Sequence, residues 1–517
     1  MNPPPTHVPA EHESRSDPCD GTHPLACAKQ RLPTIAALVI ALASTVVMTL
    51  AGCASPGDIA SHATPLAPSR VGLAGDAAVP ALAPDWWAAF ADPALNALIE
   101  KALADNPNLK VSAARVERAA AGVAATRANE GPQVNGSLEA TRQRFTENGL
   151  YPPPIAGSIR TSSTLQLAGS WDLDLFGRNR AALDAAIGAQ RAAEADRQAA
   201  RVLISSNVAR TYVQLARLFE QRAVATRALA QRDESLGLIR QRVGAGIDTN
   251  VELRQGEGTL PETRQQIEAL DEQIAITRHA LAALTVQPPS ALDALQPRLA
   301  ALHPATLPAA LPADLVGRRA DITAARWRIE AATRDVAAAR TQFYPNVNLS
   351  AFIGLSSFGL DRLLRSSSEQ YGAGPAIRLP IFDAGRLRAN LQTRTSELDV
   401  AIESYNASVV DAVREAADQI GSLRSIEAQR REQTLALAAA ESAYDLAGQR
   451  YRAGLGTYLT VLAAETNVLN QRRSAADLDA RALDTQVALI RALGGGYDAA
   501  AVAPADAYAQ QAATAAH

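Results

Sequence analysis

Apolar residues recur at a spacing of seven along two long stretches of this chain. Arg222 is the one interruption of the series in the first stretch, and the second stretch repeats the spacing. A period of seven predicts helices that pack lengthwise against one another. The apolar positions are Val208, Leu215, Leu229, Leu236 and Val243 in the first stretch, and Leu437, Tyr444 and Tyr451 in the second.

These helices are predicted to be very long, because proline, which breaks helices, is absent from residues 155–260 and 381–503. A helix from Arg178 to Val243 would extend roughly 100 Å at about 1.5 Å per residue. A similar helix is predicted from Gly385 to Arg452. Pro261 lies a dozen residues past Thr249, where the turn after the first long helix ends, and it predicts a kink in the returning helix.

Four shorter segments alternate apolar with polar or small residues, as β-strands with two different faces do. They are predicted strands at about residues 133–143, 164–174, 346–356 and 371–380. Runs of about ten residues with this alternation are typical of transmembrane β-strands. Ordinary half-buried hairpins share the pattern, but no other core is predicted for these strands, which favours the membrane interpretation.

Four membrane strands cannot stand alone, since open strand edges would leave backbone groups without hydrogen bonds in lipid. Bacterial barrels begin at about eight strands. The chain is therefore predicted to oligomerise. Three copies would supply twelve strands and a tube of twelve helical lanes, although strand arithmetic alone also permits two copies.

The chain contains the same unit twice. Val243–Thr249 matches Tyr451–Thr457 at an offset of 208 residues, and Gly131–Asn135 matches Tyr344–Asn348 at an offset of 213. Leu175-Phe176-Gly177-Arg178 also aligns with residues 381–386, with a small insertion. Each unit is predicted to run helix, β-hairpin, very long helix, glycine-containing turn and returning helix, so the fold is mainly α with a β part.

The duplication divides the chain into regions. The helices that open the two units are predicted at about Pro93–Asn129 and Asp314–Phe343. The regions are a first unit at 85–286, a linker at 287–312, a second unit at 313–497 and a flexible tail at 498–517.

The N-terminus carries a targeting segment. Lys29 and Arg31 precede an apolar run of about 16 residues, too short for a membrane span and suited to a signal-peptide core. The run ends in Leu50-Ala51-Gly52-Cys53, which resembles a bacterial lipoprotein signal. The resemblance implies that residues 1–52 are removed and that Cys53 carries a covalent lipid; a signal anchor is the alternative. Residues 53–84, rich in Ala, Pro, Ser and Gly, are predicted to form a lipidated tether.

Composition excludes several classes of protein. The chain has 517 residues, a net charge of −3 and 47% hydrophobic residues, which argues against disorder and against nucleic-acid binding through bulk charge. Cys53 is the one cysteine expected after processing, and it is acylated, so neither a disulfide framework nor a thiol nucleophile is predicted. The histidines lack metal-ligand spacing. No enzyme activity and no cofactor other than the lipid on Cys53 are expected.

Several motifs resemble those of a known family. Residues Leu311–Ile322, Arg450–Gly454, Asp85-Trp86-Trp87 and Asp92–Leu95 resemble motifs of the TolC-like outer-membrane efflux factors, specifically the NodT-type lipoproteins. The match extends from about residue 85 to residue 497. It implies a trimer whose twelve-stranded outer-membrane barrel continues into a twelve-lane α-helical tunnel across the periplasm, with the linker in the equatorial region and the lipid in the outer membrane.

The resemblance also implies partners and a function. Members of the family conduct small molecules, such as drugs or toxic organics, passively from an inner-membrane pump and a periplasmic adaptor, and the NodT type serves pumps of the resistance-nodulation-division class. No nucleic acid is expected as a partner. A type I secretion exit duct remains an alternative. A periplasmic lipoprotein adaptor is another, but an adaptor has one helical hairpin whereas this chain has two.

The family further implies roles for the two predicted helix turns. The turns bind the adaptor in the family, which carries over to Gly244, Gly246, Thr249, Arg452, Gly454 and Thr457. Glycines in tight turns between helices would also be expected without any partner.

A gate near the second turn is implied as well. Lipoprotein members often close the pore with a leucine, an aspartate and a tyrosine, and Leu459 and Tyr451 match two of them. The aspartate position is Ala463 here, and its arginine partner is Thr466. Glu465 lies on a different side of the helix and need not substitute, so a gate that depends more on apolar closure is expected. A looser pore is the alternative, because alanine is small.

Overall fold

A computed structural model describes residues 55–72, 83–303 and 315–497. The predicted signal peptide, Cys53 and the predicted tail at 498–517 lie outside the described residues. Pro380–Gly385 belongs to a separate small unit. The elements described below all belong to the other unit.

The described residues form eight α-helices and four strands. In chain order they are α1 (Pro93–Asp105), α2 (Pro107–Ala128), β1 (Gln133–Arg144), β2 (Ile159–Asp172), α3 (Arg178–Gly244), α4 (Asn250–Leu284), α5 (Leu315–Arg318), α6 (Ala320–Thr341), β3 (Asn346–Phe358), β4 (Glu369–Arg378), α7 (Arg386–Arg452) and α8 (Tyr458–Ala492). The fold is mostly helical, as the heptad pattern indicates.

The duplication is visible in the lengths of the helices. The long helices α3 and α7 each contain 67 residues, and the returning helices α4 and α8 each contain 35. Both long helices are free of proline, and α4 continues through Pro261 as one helix. The kink at Pro261 stays a prediction.

The helix that opens the first unit is broken, so the expectation of one helix over Pro93–Asn129 is wrong. Pro107 disfavours helical geometry in the residue before it, and Asn106 has φ −59° and ψ 124°. The side chain of Asn106 accepts a hydrogen bond from the backbone N–H of Asn108 at 2.9 Å, and it donates one to the carbonyl of Leu284 at 3.0 Å. The expectation of one helix over Asp314–Phe343 is also wrong, because the backbone of Arg319 is extended between α5 and α6.

The strands form one antiparallel sheet in the order β1-β2-β3-β4. The hairpins of the two units are joined through β2 and β3, where Leu167 lies opposite Ile353. Strand β2 begins at Ile159 rather than at about residue 164, and β4 begins at Glu369 rather than at about residue 371. Strands β1 and β4 are the edges of the sheet within the described part of the chain.

The largest buried cluster lies where α1, α3, α4 and α8 meet. Phe90, Ile99 and Leu215 are fully buried there, and the two tryptophans of the Asp85-Trp86-Trp87 motif are also buried. The hydroxyl of Tyr212 donates a hydrogen bond to Asp92 at 2.8 Å. The motif that opens the first unit therefore contributes to the core.

Part of the predicted tether is bound to α7, and we call residues 59–71 the strap. One carboxylate oxygen of Asp399 accepts hydrogen bonds from the Ser61 hydroxyl at 2.5 Å and from the N–H groups of His62 and Ala63 at 3.1 and 3.2 Å. The amide of Asn406 bonds the backbone of both Leu66 and Thr64. Composition suggests a free tether, but these side chains hold the strap on the helix.

Replacing Asp399 with alanine is expected to release the strap, because three hydrogen bonds lose their acceptor. Arg70, at the end of the strap, is exposed and offers a trypsin site. Cleavage after Arg70 should become at least about fivefold faster. Asp411→Ala is the matched control, since Asp411 is exposed on the same helix and only contacts Arg414. Equal cleavage rates in the two variants would contradict a bound strap.

Candidate functional site

The two turns between the long and returning helices have the same backbone. In the first turn the N–H of Ile247 donates to the carbonyl of Arg242 at 2.9 Å, and in the second Leu455 donates to Arg450 at 2.8 Å. Gly246 and Gly454 have φ of +72° and +76°, where a side chain would be strained. This closure of a helix C-terminus by a left-handed glycine satisfies carbonyls that the helix leaves free.

The threonines at the two turns begin the returning helices in different ways. Thr249 forms a capping box, in which its hydroxyl accepts from the N–H of Val251 at 3.1 Å and its own N–H donates to Glu252 at 2.9 Å. Thr457 makes no such cap, and its hydroxyl lies 3.2 Å from that of Thr460. The predicted docking residues lie in these turns: Gly244, Gly246 and Thr249 in the first, and Arg452, Gly454 and Thr457 in the second.

Arg242, Asp248 and Tyr451 join the two turns, and we call them the tip clasp. The guanidinium of Arg242 bonds both carboxylate oxygens of Asp248, at 2.9 and 3.2 Å, and the carbonyl of Tyr451 at 3.1 Å. The hydroxyl of Tyr451 donates a hydrogen bond to Asp248. The guanidinium carbon of Arg242 also lies 4.5 Å from the centre of the Tyr451 ring. The clasp therefore connects the first repeat to the second.

The protonation states of the clasp support this geometry. Hydrogen bonding from Arg242 and Tyr451 lowers the pKa of Asp248 in spite of its burial. Burial, followed by the neighbouring Asp248 carboxylate, raises the pKa of Tyr451. Asp248 is therefore charged and Tyr451 neutral at physiological pH, which is the arrangement that the hydrogen bonds require.

Leu459, the other predicted gate residue, does not belong to the clasp. Tyr451 is buried, with 3% of its surface exposed, whereas Leu459 is 61% exposed. Three other large apolar residues near the two turns are also exposed, and the four occupy equivalent positions of the two repeats. We call the four the apolar tip surface: Ile247 (61% exposed) and Val251 (62%) on the first turn, and Leu455 (70%) and Leu459 on the second.

Glu465 faces the first repeat. Its carboxylate lies 3.1 Å from Arg232 of α3, and both side chains are about nine-tenths buried. Arg232 also donates to the hydroxyl of Thr263 in α4 at 2.7 Å. Burial raises the pKa of Glu465 although Arg232 opposes the shift. Ala463 and Thr466 are exposed on another side of α8.

The contacts of Arg242 and Asp248 were not predicted from the sequence, although the duplication contained a signal for them. At the offset of 208 residues, Asp248 corresponds to Gly456 and Val243 corresponds to Tyr451. The repeats therefore differ at the two positions that contact each other in the structure. A polar difference between otherwise matched turns was the available indication of a contact between the repeats.

One face of the sheet is apolar and exposed. Cross-strand pairs place the apolar positions of all four strands on the same side, since Leu138 lies opposite Leu165 and Ile353 lies opposite Tyr371. The opposite face carries polar residues such as Asn135 and Ser137. The exposed large residues of the apolar face are Val134, Leu138, Leu165, Leu167, Trp171, Leu349, Ile353, Tyr371 and Ile377.

Aromatic residues lie at both ends of this sheet. At the end near the helices, Phe176 stacks on Tyr344 with ring centres 5.1 Å apart, and the indole of Trp171 donates to the carbonyl of Glu130. At the far end, Phe145 and Phe358 meet edge to face at 5.5 Å. Aromatic girdles at both interfaces are typical of membrane β-strands. None of the helices that the structure describes has a stretch apolar and long enough to cross a membrane.

Comparison with known proteins identifies the class. The chain is 38% identical over 371 residues to the fusaric acid resistance protein FusA of Burkholderia cepacia, covering 69% of this chain and 68% of that protein. It is 32% identical over 424 residues to the multidrug resistance outer membrane protein MdtQ of Escherichia coli O157:H7, covering 80% and 88%. The crystal structure of the outer membrane protein VceC from Vibrio cholerae matches with a TM-score of 0.76 and 36% identity, covering 81% of this chain and 100% of that one.

A family model agrees with these matches. The model described as outer membrane efflux protein matches residues 98–286 and 311–495. The chain therefore belongs to the outer membrane efflux protein family. This confirms the resemblance to TolC-like channels that the sequence motifs indicate.

Proposed function

We propose that this protein is the outer-membrane channel of a tripartite efflux system. Small molecules pass through it from an inner-membrane pump and a periplasmic adaptor to the outside of the cell. The observation that supports it best is the four-stranded sheet with an exposed apolar face, attached to two helices of 67 residues each. The names of the relatives, which refer to resistance to fusaric acid and to multiple drugs, support the same function.

The proposed channel is a homotrimer. The sheet has two free edges, β1 and β4, and three copies joined edge to edge would close a barrel of twelve strands. Helices of 67 residues are about 100 Å long, so three copies would also build a twelve-lane helical tunnel into the periplasm. The channel conducts passively, and no enzymatic step is part of the proposal.

The regions of the chain have corresponding roles. Residues 1–52 are the signal peptide, and Cys53 carries the lipid that anchors the mature chain to the outer membrane. Residues 85–286 and 313–497 are the two repeats that build barrel and tunnel, and 287–312 links them in the equatorial region.

The adaptor docks on the two turns in this proposal. Large apolar side chains exposed at a helix turn, without a core to cover them, indicate a surface that binds another protein. The apolar tip surface is repeated on both turns, which fits two similar segments of the adaptor. The pump is expected to be of the resistance-nodulation-division class, as in the NodT-type lipoproteins that the sequence resembles.

Photocrosslinking in intact cells tests the docking. A photoreactive amino acid at position 249 or 457 is expected to capture a periplasmic adaptor, and mass spectrometry of the product would identify its class. Position 226 is the matched control, because Thr226 is exposed on α3 and bonds only its own helix. A stable outer-membrane oligomer that captures no adaptor from either turn would contradict the proposal and favour a self-sufficient pore.

A further inference from the structure

The apolar face of β1 ends in two arginines. Side chains alternate between the faces of a strand, so Arg142 and Arg144 lie on the same face as Val134 and Leu138. Pairing confirms the placement, because Arg144 lies opposite Ile159, which is 62% exposed. The arginines occupy the end of the strand that is remote from the helices.

The distance along the strand places them at a membrane boundary. Arg142 and Arg144 follow Val134 by eight and ten residues. At about 3.3 Å per residue and a tilt of about 45°, they lie roughly 19–23 Å above Val134 along the membrane normal. The apolar band of an outer-membrane barrel is about 25 Å tall. The guanidinium groups therefore reach the headgroup level of the outer leaflet.

Both arginines are available to a ligand. Arg144 lies 3.5 Å from Glu147, and the two side chains are 69% and 72% exposed, so this pair is weak. Arg142 is exposed and has no ion-pair partner among residues 55–72, 83–303 and 315–497. Glu369, on the same face of β4, lies at the other edge of the sheet. The outer end of the β1 face therefore carries positive charge.

We propose that Arg142 and Arg144 bind the phosphate groups of the phosphorylated glycolipid in the outer leaflet of the outer membrane. A guanidinium is planar and offers paired N–H donors that match phosphate oxygens. Arginine on a lipid-facing strand is costly at the bilayer midplane but nearly neutral at the interface. The inference rests on the proposed function, since it requires that the strands cross the outer membrane.

Retention of glycolipid by the purified channel tests the inference. Full-length protein is extracted from outer membranes in mild detergent and washed, and the glycolipid bound per chain is measured by mass spectrometry. The double variant Arg142→Gln/Arg144→Gln is expected to retain about five- to tenfold less glycolipid than the unaltered protein. Arg160→Gln is the matched control, because Arg160 lies opposite Gln143 and therefore on the other face at the same level. It should change retention less than about twofold.

A second experiment identifies the ligand. The delipidated protein is reconstituted in vesicles that contain bis-phosphorylated lipid A, dephosphorylated lipid A or phosphatidylglycerol. The amount of lipid bound per chain should be highest for the bis-phosphorylated form. The double variant should not show this preference. Equal binding of phosphatidylglycerol would show a general phosphate preference and would overturn the assignment to the glycolipid, as would equal retention by the double variant and the Arg160→Gln control.

Membrane integration is measured in parallel by protease protection of the strands. Integrated protein with unchanged glycolipid retention in the double variant would overturn this inference alone. Failure of the unaltered protein to integrate would overturn the proposed function, and this inference with it.

Discussion

Replacing Asp248 with asparagine is expected to open a leak through the proposed channel, because the tip clasp contains Tyr451, which the family resemblance implies is a gate residue. The change keeps the shape of the side chain but removes the negative charge of the carboxylate, which accepts hydrogen bonds from Arg242 and Tyr451. Hydrogen bonds to charged groups contribute about 1.5–3 kcal/mol each. A loss of about 2–3 kcal/mol in the closed state would shift a two-state equilibrium toward the open state by roughly 30- to 150-fold.

The leak is measured as conductance across planar bilayers and as sensitivity of cells to a large hydrophilic antibiotic. Tyr451→Phe removes only the hydroxyl bond and should give a smaller effect. Arg450→Gln is the matched control, because Arg450 occupies the position equivalent to Arg242 and only contacts the carbonyl of Leu455 at 3.4 Å. Unchanged conductance in Asp248→Asn would show that the tip clasp does not hold the channel closed.

The pKa of Asp248 sets the pH dependence of this contact. Because Arg242 holds that pKa below its usual range, the clasp is fully formed above the ordinary pKa of an aspartate. It is lost as the pH falls through the lowered pKa. Conductance of the unaltered protein should therefore stay constant near neutral pH and rise only in strong acid.

Replacing Arg319 with methionine is expected to cause a large loss of stability. The buried guanidinium bonds Asp321 at 2.7 and 3.1 Å, Glu415 at 3.0 Å and the carbonyl of Ala492 at 3.3 Å. It therefore joins the start of α6 to α7 and to the end of α8. Removing one partner of a buried ion pair costs about 3–5 kcal/mol. The carboxylates are partly exposed, so we expect a loss of about 3 kcal/mol in the free energy of unfolding.

Denaturant unfolding followed by circular dichroism measures this loss. Arg328→Met is the matched control, since the Arg328–Asp196 pair is about half exposed and should contribute at most about 1 kcal/mol. Burial raises the pKa of Asp321, but Arg319 outweighs it and the net shift is downward. The stability from this pair is therefore present above the ordinary aspartate pKa and is lost as the pH falls. Equal destabilisation by both variants would contradict a special role for Arg319.

Local pattern accounts for the elements that the sequence predicted well. The heptad spacing and the absence of proline indicated α3 and α7, and the structure has both as helices of 67 residues. Alternation indicated which residues of the four strands share a face, because side-chain direction along a strand depends only on position. The break at Asn106 was also a local feature, because Pro107 disfavours helical geometry in the residue before it.

The strap shows what local pattern could not supply. Its binding depends on Asp399 and Asn406, which are more than 330 residues away in the chain. The composition of residues 53–84 is typical of a free tether, and no pattern within the segment predicts that it binds α7. Local pattern could not predict the burial of Glu465 against Arg232 either, because the two residues are 233 positions apart.

By itself, the sequence determined the duplicated layout, the extent of the two long helices, the faces of the strands and the positions of the two turns. The duplicated layout follows from matching segments about 208 residues apart, and the other three follow from residues within a few turns or strand positions of one another. The tertiary structure decided that Tyr451 is buried against Asp248 while Leu459 is exposed, and that Arg319 joins three helices. Such contacts depend on how helices that are distant in the sequence pack together. The residues in contact are not regularly spaced along the chain, so no sequence pattern predicts them.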